Sequence, residues 1–230
     1  MVGCMLIDRK WDSDFFGRNI YDLTSFENIE NSIVNCQGGL ITTKISSVDK
    51  SKKNHLLKEG FIHCETEDVY SKLIEHNLNS DGCLIKAEKP DLFYLYQAAS
   101  NLYQYSRFKA PWFSIKERES FYQKWILNAV NGAFDDLCLM LKGEDRARGF
   151  ITGRRLENDC YIGLIGVNPN DQRIGLGKQI LHEYESYVYS QFGETRIKVS
   201  TQGRNVNAKN MYKNSKYELV ETNYWFYKHV

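Results

Sequence analysis

The stretch GLIGVNPNDQRIGLGKQILHEYE, residues 163–185, constrains the fold more than any other part of the chain. An apolar run passes through a polar turn and two glycines, Gly175 and Gly177, into a segment with Ile180, Leu181, Tyr184 and Val188 on one helical face. That is a buried strand feeding an amphipathic helix that reaches about Gln191, and a sheet entered in this way needs cover on both faces. Glycine takes positive φ freely and carries no Cβ, so the backbone at 175 and 177 can close around a diphosphate with its N–H groups inward. The positive end of the helix dipole adds to the attraction. The segment is not a P-loop: Gln179 follows Lys178 where Ser or Thr is needed, and Gln172 stands five positions before Gly177. Nor does it contain GxGxxG. On the glycines alone, an ordinary strand-to-helix turn is the better reading.

Alternating apolar stretches predict strands at 83–89, 137–142, 148–155, 160–167 and 196–201, and the closing segment reads as two strands around Glu218 and Phe226. Asp91 can cap a helix running through Leu95 and Leu102. Phe121, Trp125 and Ala129 recur at helical spacing over 116–130, and a short helix fits 207–215. The order implies an α/β sandwich around a mixed sheet, with an antiparallel meander over 137–167. Residues 74–82, IEHNLNSDG, lack apolar periodicity and end in Asp-Gly. They are expected to separate an N-terminal α/β domain, 1–78, from a larger domain, 83–230. The segment LLKEGFIHCETEDVY, 56–70, lines up with YKNSKYELVETNYWF, 212–226, pairing Gly60-Phe61 with Lys216-Tyr217 and Glu65-Thr66 with Glu221-Thr222. The first domain therefore reads as a degenerate half-copy of the second.

A net charge of +1 and a pI near 7.6 leave no basic excess for holding nucleic acid. The start of the chain lacks the apolar core of a secretory signal, and nothing later approaches a membrane-spanning run, so no membrane partner is expected. Six cysteines are scattered without a CxxC pair, and Cys83, Cys138 and Cys160 sit in apolar runs, as reduced core residues of a cytoplasmic protein do. The five histidines share no ligand spacing with them, so no metal is expected. His182 and His229 read as structural or surface residues. A homodimer is compatible with the sequence.

QRIGLG, 172–177, resembles the [QR]xxGx[GA] pyrophosphate loop of the GNAT superfamily of N-acetyltransferases. Asn205, Ala208 and Tyr212 match the NxxAxxxY pattern of the helix that flanks coenzyme A in that family. One position departs, since Lys216 stands where the family usually has glycine. Upstream, Ser106-Arg107-Phe108, Ala110-Pro111-Trp112 and FYQKWILNAVNGAFD, 121–135, resemble the branch that acetylates the 4-amino group of a dTDP-linked 4-amino-4,6-dideoxygalactose for surface polysaccharide. The resemblance is dense from about 103 to 230 and thins in the first domain to WDSDFFG, 11–17, and the segment around Gly60 and Phe61. It implies a GNAT fold, a mixed and mostly antiparallel sheet flanked by helices, with acetyl-CoA as cosubstrate and a nucleotide-linked amino sugar as acceptor. The same chemistry on another amine and a non-catalytic acetyl-CoA-binding module are the alternatives.

The resemblance also implies roles. Backbone groups of Ile165 and Val167 would meet the pantetheine arm, and an amide near Ile165 would stabilise the oxyanion. Gln172, Arg173, Ile174, Gly175, Leu176, Gly177 and Lys178 would hold the diphosphate, with Asn205 bonding to the pantetheine or diphosphate. Tyr212 would protonate or hydrogen-bond the departing thiolate; full transfer between an ordinary phenol and a thiol is uphill by about 2 kcal/mol. Arg107 would grip the nucleotide diphosphate, and Phe108 or Trp112 would stack on thymine or sugar. Phe121 and Trp125 are read as packing residues. The half-copy suggests Glu65 as proton acceptor, with Glu221 a second carboxylate.

Overall fold

The computed structural model describes residues 6–27, 29–34, 36, 38–76, 79–99, 103–144 and 146–230. The first part of the chain forms β1 (Leu6–Asp8), α1 (Lys10–Phe16), β2 (Ile20–Leu23), α2 (Ile29–Val34), β3 (Leu40–Ser46), α3 (Lys50–Lys58) and β4 (Ile62–Ile74). The second forms β5 (Leu84–Lys86), α4 (Leu92–Ala99), α5 (Ile115–Val130), β6 (Leu137–Lys142), β7 (Ala147–Leu156), β8 (Asp159–Val167), α6 (Leu176–Phe192), β9 (Thr195–Gln202), α7 (Val206–Asn214) and β10 (Glu218–His229). Among the described residues, ten strands make one sheet in the order β1-β2-β3-β10-β4-β9-β8-β7-β6-β5.

Strand alternation sorts the apolar residues onto two faces. Cys138 and Met140 of β6 join Phe150, α4 and α5 in one core, while Leu139 and Leu141 join Ile151 and α6 in another. Phe15 and Phe16 of α1 pack against the first of these, Phe15 edge-on to Phe121 and Phe16 against Phe108 and Phe113. A third core lies under α2 and α3, where Leu23, Ile41, Ile45, Leu56 and Phe61 meet Phe226. Helix α5 starts where Ser114 and Glu117 close a reciprocal capping box, one residue earlier than its periodicity predicts.

The expected boundary falls between β4 and β5, and both sides of it supply strands to the same sheet. Ile74 still belongs to β4. The segment after it is pinned to α6, because Glu183 accepts from the Ser80 hydroxyl (2.6 Å) and from the amides of Asp81 (3.0 Å) and Cys83 (3.3 Å). The strand predicted over 83–89 is shortened to Leu84–Lys86, and Leu102 lies outside the described residues. The two closing strands are one, β10. Register shifts at Leu219/Glu221 and Trp225/Phe226 break its alternation and make it read as two.

The half-copy has a geometric counterpart. The run β2-α2-β3-α3-β4 repeats β8-α6-β9-α7-β10, and the last strand of each half sits beside the penultimate strand of the other. Ser46 and Gln202, like Glu67 and Asn223, are separated by 156 positions. Asn223 pairs with Ser46 and Glu67 with Gln202, while Glu67 and Asn223 lie directly opposite one another. An approximate two-fold axis therefore passes between Glu67 and Asn223. The parallel pairs match as well: Ile20 opposite Leu40 corresponds to Asp159 opposite Arg196. The connection between the parallel strands has shrunk, with six residues in α2 against 17 in α6. Residues 24–28, TSFEN, contain no glycine.

Candidate active site

Strands β8 and β9 pair in parallel from Asp159/Arg196 to Ile162/Val199, and no further. Past that point their facing edges part, and a cleft of about 1290 Å³ opens between them. Ile165, Val167, Gln172, Arg173, Gly175, Leu176, Gly177, Lys178, Asn205 and Tyr212 all line it. Ile174 does not, and its side chain is exposed.

The turn into α6 explains the glycines. Gly175 caps the helix at φ 90°, and Arg173 sits at φ 67°. The first helical amides with a carbonyl partner are those of Lys178 and Gln179, both on Gly175 O at 3.1 Å. The amides of the first turn before them have no intrahelical acceptor and end at the cleft, an arrangement suited to a diphosphate. A Cβ on Gly177 would meet Met211 Sδ at 3.0 Å, so the glycine lets α6 approach α7. The Gln172 side chain donates through Nε2 to Val167 O (3.1 Å), tying the start of the turn to the end of β8.

Asn205 caps α7, its Oδ1 accepting from the Ala208 amide (3.2 Å), so its first role is to fix the helix that carries Tyr212. Tyr212 is 2 % exposed, packed between Tyr70 and Tyr217 at ring distances of 5.6 and 5.8 Å. Burial pushes its phenol well above the ordinary value. Lys216 adopts the left-handed conformation that the family's glycine would adopt, with φ 65°.

On the other side of the cleft, the Arg107 guanidinium lies between Trp225 (4.1 Å) and Phe108 (4.2 Å) and donates to the Tyr227 hydroxyl. Both Arg107 and Phe108 line the cleft. Trp112 does not: it is 6 % exposed, packed against Tyr227 and His229, with its carbonyl held by Arg18 (2.9 Å). It is a core residue because the turn at 109–113 directs it inward, and stacking on a substrate ring is closed to it.

Glu65 lines the cleft but is 4 % exposed. It accepts from Lys109 Nζ (2.5 Å), Arg204 Nη2 (2.9 Å) and the Thr66 amide (3.1 Å). Burial pushes its carboxyl up, but the bonds from Lys109 and Arg204 prevail and hold it below the ordinary value. That makes it a weaker base than a free glutamate, contrary to the expected role. Glu221 is exposed and lies on the open sheet face instead of the cleft.

Residues that the sequence did not single out complete the site. Trp225 has Arg107, Lys44 (5.4 Å) and Arg9 (6.0 Å) near its ring, and its Nε1 donates to Glu67 (3.1 Å), which also pairs with Lys44 (3.1 Å). Tyr103 lines the cleft, stacked on Tyr122 at 3.8 Å. Its buried hydroxyl has no hydrogen-bond partner among the described residues. Trp125, expected to be packing alone, lines the cleft and donates to Asp135 (2.7 Å). The described residues contain no cluster of His, Cys, Asp and Glu able to hold a metal ion, and no helix among them is long and apolar enough to cross a membrane.

The chain is 31% identical to dTDP-fucosamine acetyltransferase of Escherichia coli O6:H1 over 226 residues, 95% of each protein. Its fold is similar to a GCN5-related N-acetyltransferase from Sphaerobacter thermophilus, with TM-score 0.62 and 13% identity over 97% of this chain and 75% of that one. It is also similar to the PaiA N-acetyltransferase of Thermoplasma acidophilum in complex with coenzyme A, with TM-score 0.51 and 18% identity over 64% of this chain and 98% of that one. Residues 95–217, which hold the glycine turn, Asn205 and Tyr212, match the profile of the Acetyltransferase (GNAT) family, and the chain is a member of that family, an acetyl-CoA-dependent N-acetyltransferase.

Proposed function

We propose that the chain transfers the acetyl group of acetyl-CoA to the 4-amino group of a dTDP-linked 4-amino-4,6-dideoxyhexose, the galactose form, as a cytoplasmic step towards surface polysaccharide. The observation that carries this reading is the 31% identity to dTDP-fucosamine acetyltransferase, which runs over 95% of both chains and so includes the acceptor side. Arg107 supports it: a guanidinium already flattened between two aromatic rings loses little freedom on gripping a diphosphate.

The residues of the β8–α6 turn suit coenzyme A. The left-handed Gly175 and Arg173 bend the backbone so that amides at the start of α6 converge where a diphosphate would sit. When bound, acetyl-CoA supplies an activated acyl carbonyl. The unpaired edge of β8 beyond Ile162 offers backbone donors to it. Tyr212, its phenol held in the neutral form by burial, donates a hydrogen bond to the leaving sulfur and keeps its proton. Glu65 anchors Lys109 and Arg204, which leaves the acceptor ammonium to lose its proton to water in the cleft.

A panel of dTDP-linked amino sugars incubated with acetyl-CoA, read by mass spectrometry for the gain of one acetyl group, tests the substrate. The galactose form should be acetylated fastest. Faster turnover of the glucose epimer or of a simple amine would overturn the proposal, and acetyl-CoA binding without thiol release from any amine would point to a binding module.

A further inference from the structure

Strand β8 changes faces in its middle. Cys160 and Ile162 pack on the α6 side, and strict alternation would put Leu164 there too. Leu164 instead belongs to the core under α4 and α5, and Ile165 and Val167 return to the α6 side. The register shows why: Ile165 lies opposite Ile151 and Ile162 opposite Gly153, so Gly163 and Leu164 together face the single residue Thr152. This is a β-bulge, and it sits in the wall of the cleft, since Ile162, Gly163, Leu164 and Ile165 all line it.

A buried chain of hydrogen bonds fixes the bulge. The Leu164 amide donates to Thr152 Oγ1 (2.9 Å), and the Thr152 hydroxyl donates to Asp135 Oδ2 (2.5 Å). Asp135 is fully buried and accepts also from Trp125 Nε1 (2.7 Å) and Arg154 Nη1 (2.8 Å). A carboxylate donates nothing, so the single Thr152 proton must point to Asp135 and a Thr152 lone pair must point to Leu164. Residue 163 has to be glycine, because a Cβ there would overlap the Asp135 carboxylate. Arg154 neutralises that carboxylate, so the assembly brings no net charge to the cleft.

With the Leu164 amide turned to β7, the next amide, that of Ile165, turns to the gap where pairing with β9 has ended. We propose that Asp135 and Thr152 are positioning residues for acetyl transfer: they lock the β8 bulge so that the Ile165 amide faces the acyl carbonyl of the cosubstrate. Neither touches the substrate. The inference rests on membership of the acetyltransferase family and not on the identity of the acceptor.

The test compares Thr152→Val, which keeps the shape and loses the hydroxyl, with Thr152→Ser, which keeps the hydroxyl. Infrared difference spectra of acetyl-CoA carrying a ¹³C-labelled carbonyl report the hydrogen bond to that oxygen without any acceptor. In wild type and Thr152→Ser the bound carbonyl stretch should fall below its solution frequency, and in Thr152→Val it should move back towards it. The Val variant should lose at least about tenfold in kcat, as removal of an oxyanion donor does, while the calorimetric Kd for acetyl-CoA changes less than about twofold. Equal losses in the Ser and Val variants would mean packing and overturn the proposal, as would a wild-type frequency and kcat in Thr152→Val. Hydrogen exchange in the unaltered protein gives a second reading that depends on no variant. Saturation with acetyl-CoA should slow exchange of the Ile165 amide, and an unchanged rate there would overturn the assignment.

Discussion

Gly60 and Lys216 occupy the same place at two equivalent helix ends. Their φ values are 78° and 65°; each amide donates to the carbonyl three residues back, Leu57 or Lys213, at 3.1 and 3.0 Å. The following amides, of Phe61 and Tyr217, donate five residues back to Leu56 and Tyr212 at 2.9 and 3.0 Å. The first half of the molecule uses glycine for this turn, and the catalytic half uses a lysine held against its preference. Lys216→Gly should therefore stabilise the protein by up to about 1 kcal/mol, the relief of φ strain less the freedom glycine adds to the unfolded chain. Gly60→Ala should do the reverse by a similar amount, although a Cβ there meets only the flexible end of Lys228. Urea unfolding of the two variants checks both signs.

At the diphosphate turn the two glycines should fail differently. Space around Gly175 is open, so the cost of Gly175→Val comes from φ 90° and its effect on the loop amides. Calorimetry should show acetyl-CoA affinity lowered by at least about tenfold in a folded protein. Gly177→Ala meets the end of the Met211 side chain, which can shift, and should lose much less. Equal losses would show that the loop is read by bulk alone.

Tyr212→Phe should keep the acetyl-CoA Kd within about twofold and lower kcat by about tenfold or more, since the hydroxyl acts on charge that develops only in the transition state. Because burial holds the phenol well above its ordinary value, no fall in kcat from its ionisation should occur up to pH 9. Rate profiles of the two proteins from pH 6 to 9 decide the point.

Glu65 gives a prediction of opposite character. Its folded pKa is depressed, so it stabilises the protein above its unfolded value, about 4.3, and that contribution disappears as pH falls through the folded value. Glu65→Gln should cost about 1–2 kcal/mol at pH 7, allowing for the exposure of Arg204, and the gap to wild type should close below about pH 4. The shape of the pH–rate profile should match wild type. Recovery of kcat/KM at high pH in the variant would restore Glu65 as a proton acceptor.

What was legible in the sequence is local. Residues 172–177 form a single turn into α6 with all but Ile174 at the cleft, and Asn205, Ala208 and Tyr212 lie on α7 and its cap, so both motifs are local. Trp225, Lys44 and Glu67 meet only because β10 pairs with β3 and β4, strands some 150 or more positions away in the chain. No local pattern announces such a contact. Asp135 only closes the stretch 121–135 that carries the resemblance, and nothing local marks its role, which depends on a bulge about thirty residues downstream. Trp112 is expected at the acceptor only through the resemblance of Ala110-Pro111-Trp112, and the burial of its ring is decided by Tyr227 and His229, far along the chain.

The reciprocal placement of β4 and β10 has a consequence for how the chain is made. During synthesis β4 emerges well before β9 and β10, and until then both its edges lack the partners they have in the native sheet. The final strand must then enter between β3 and β4, near the middle of the sheet. Pairings this far apart in sequence predict slow folding, with the facing edges of β3 and β4 open to self-association until β10 arrives. It also ties the two halves together kinetically: a cut between them yields two fragments, each missing a central strand that only the other can supply.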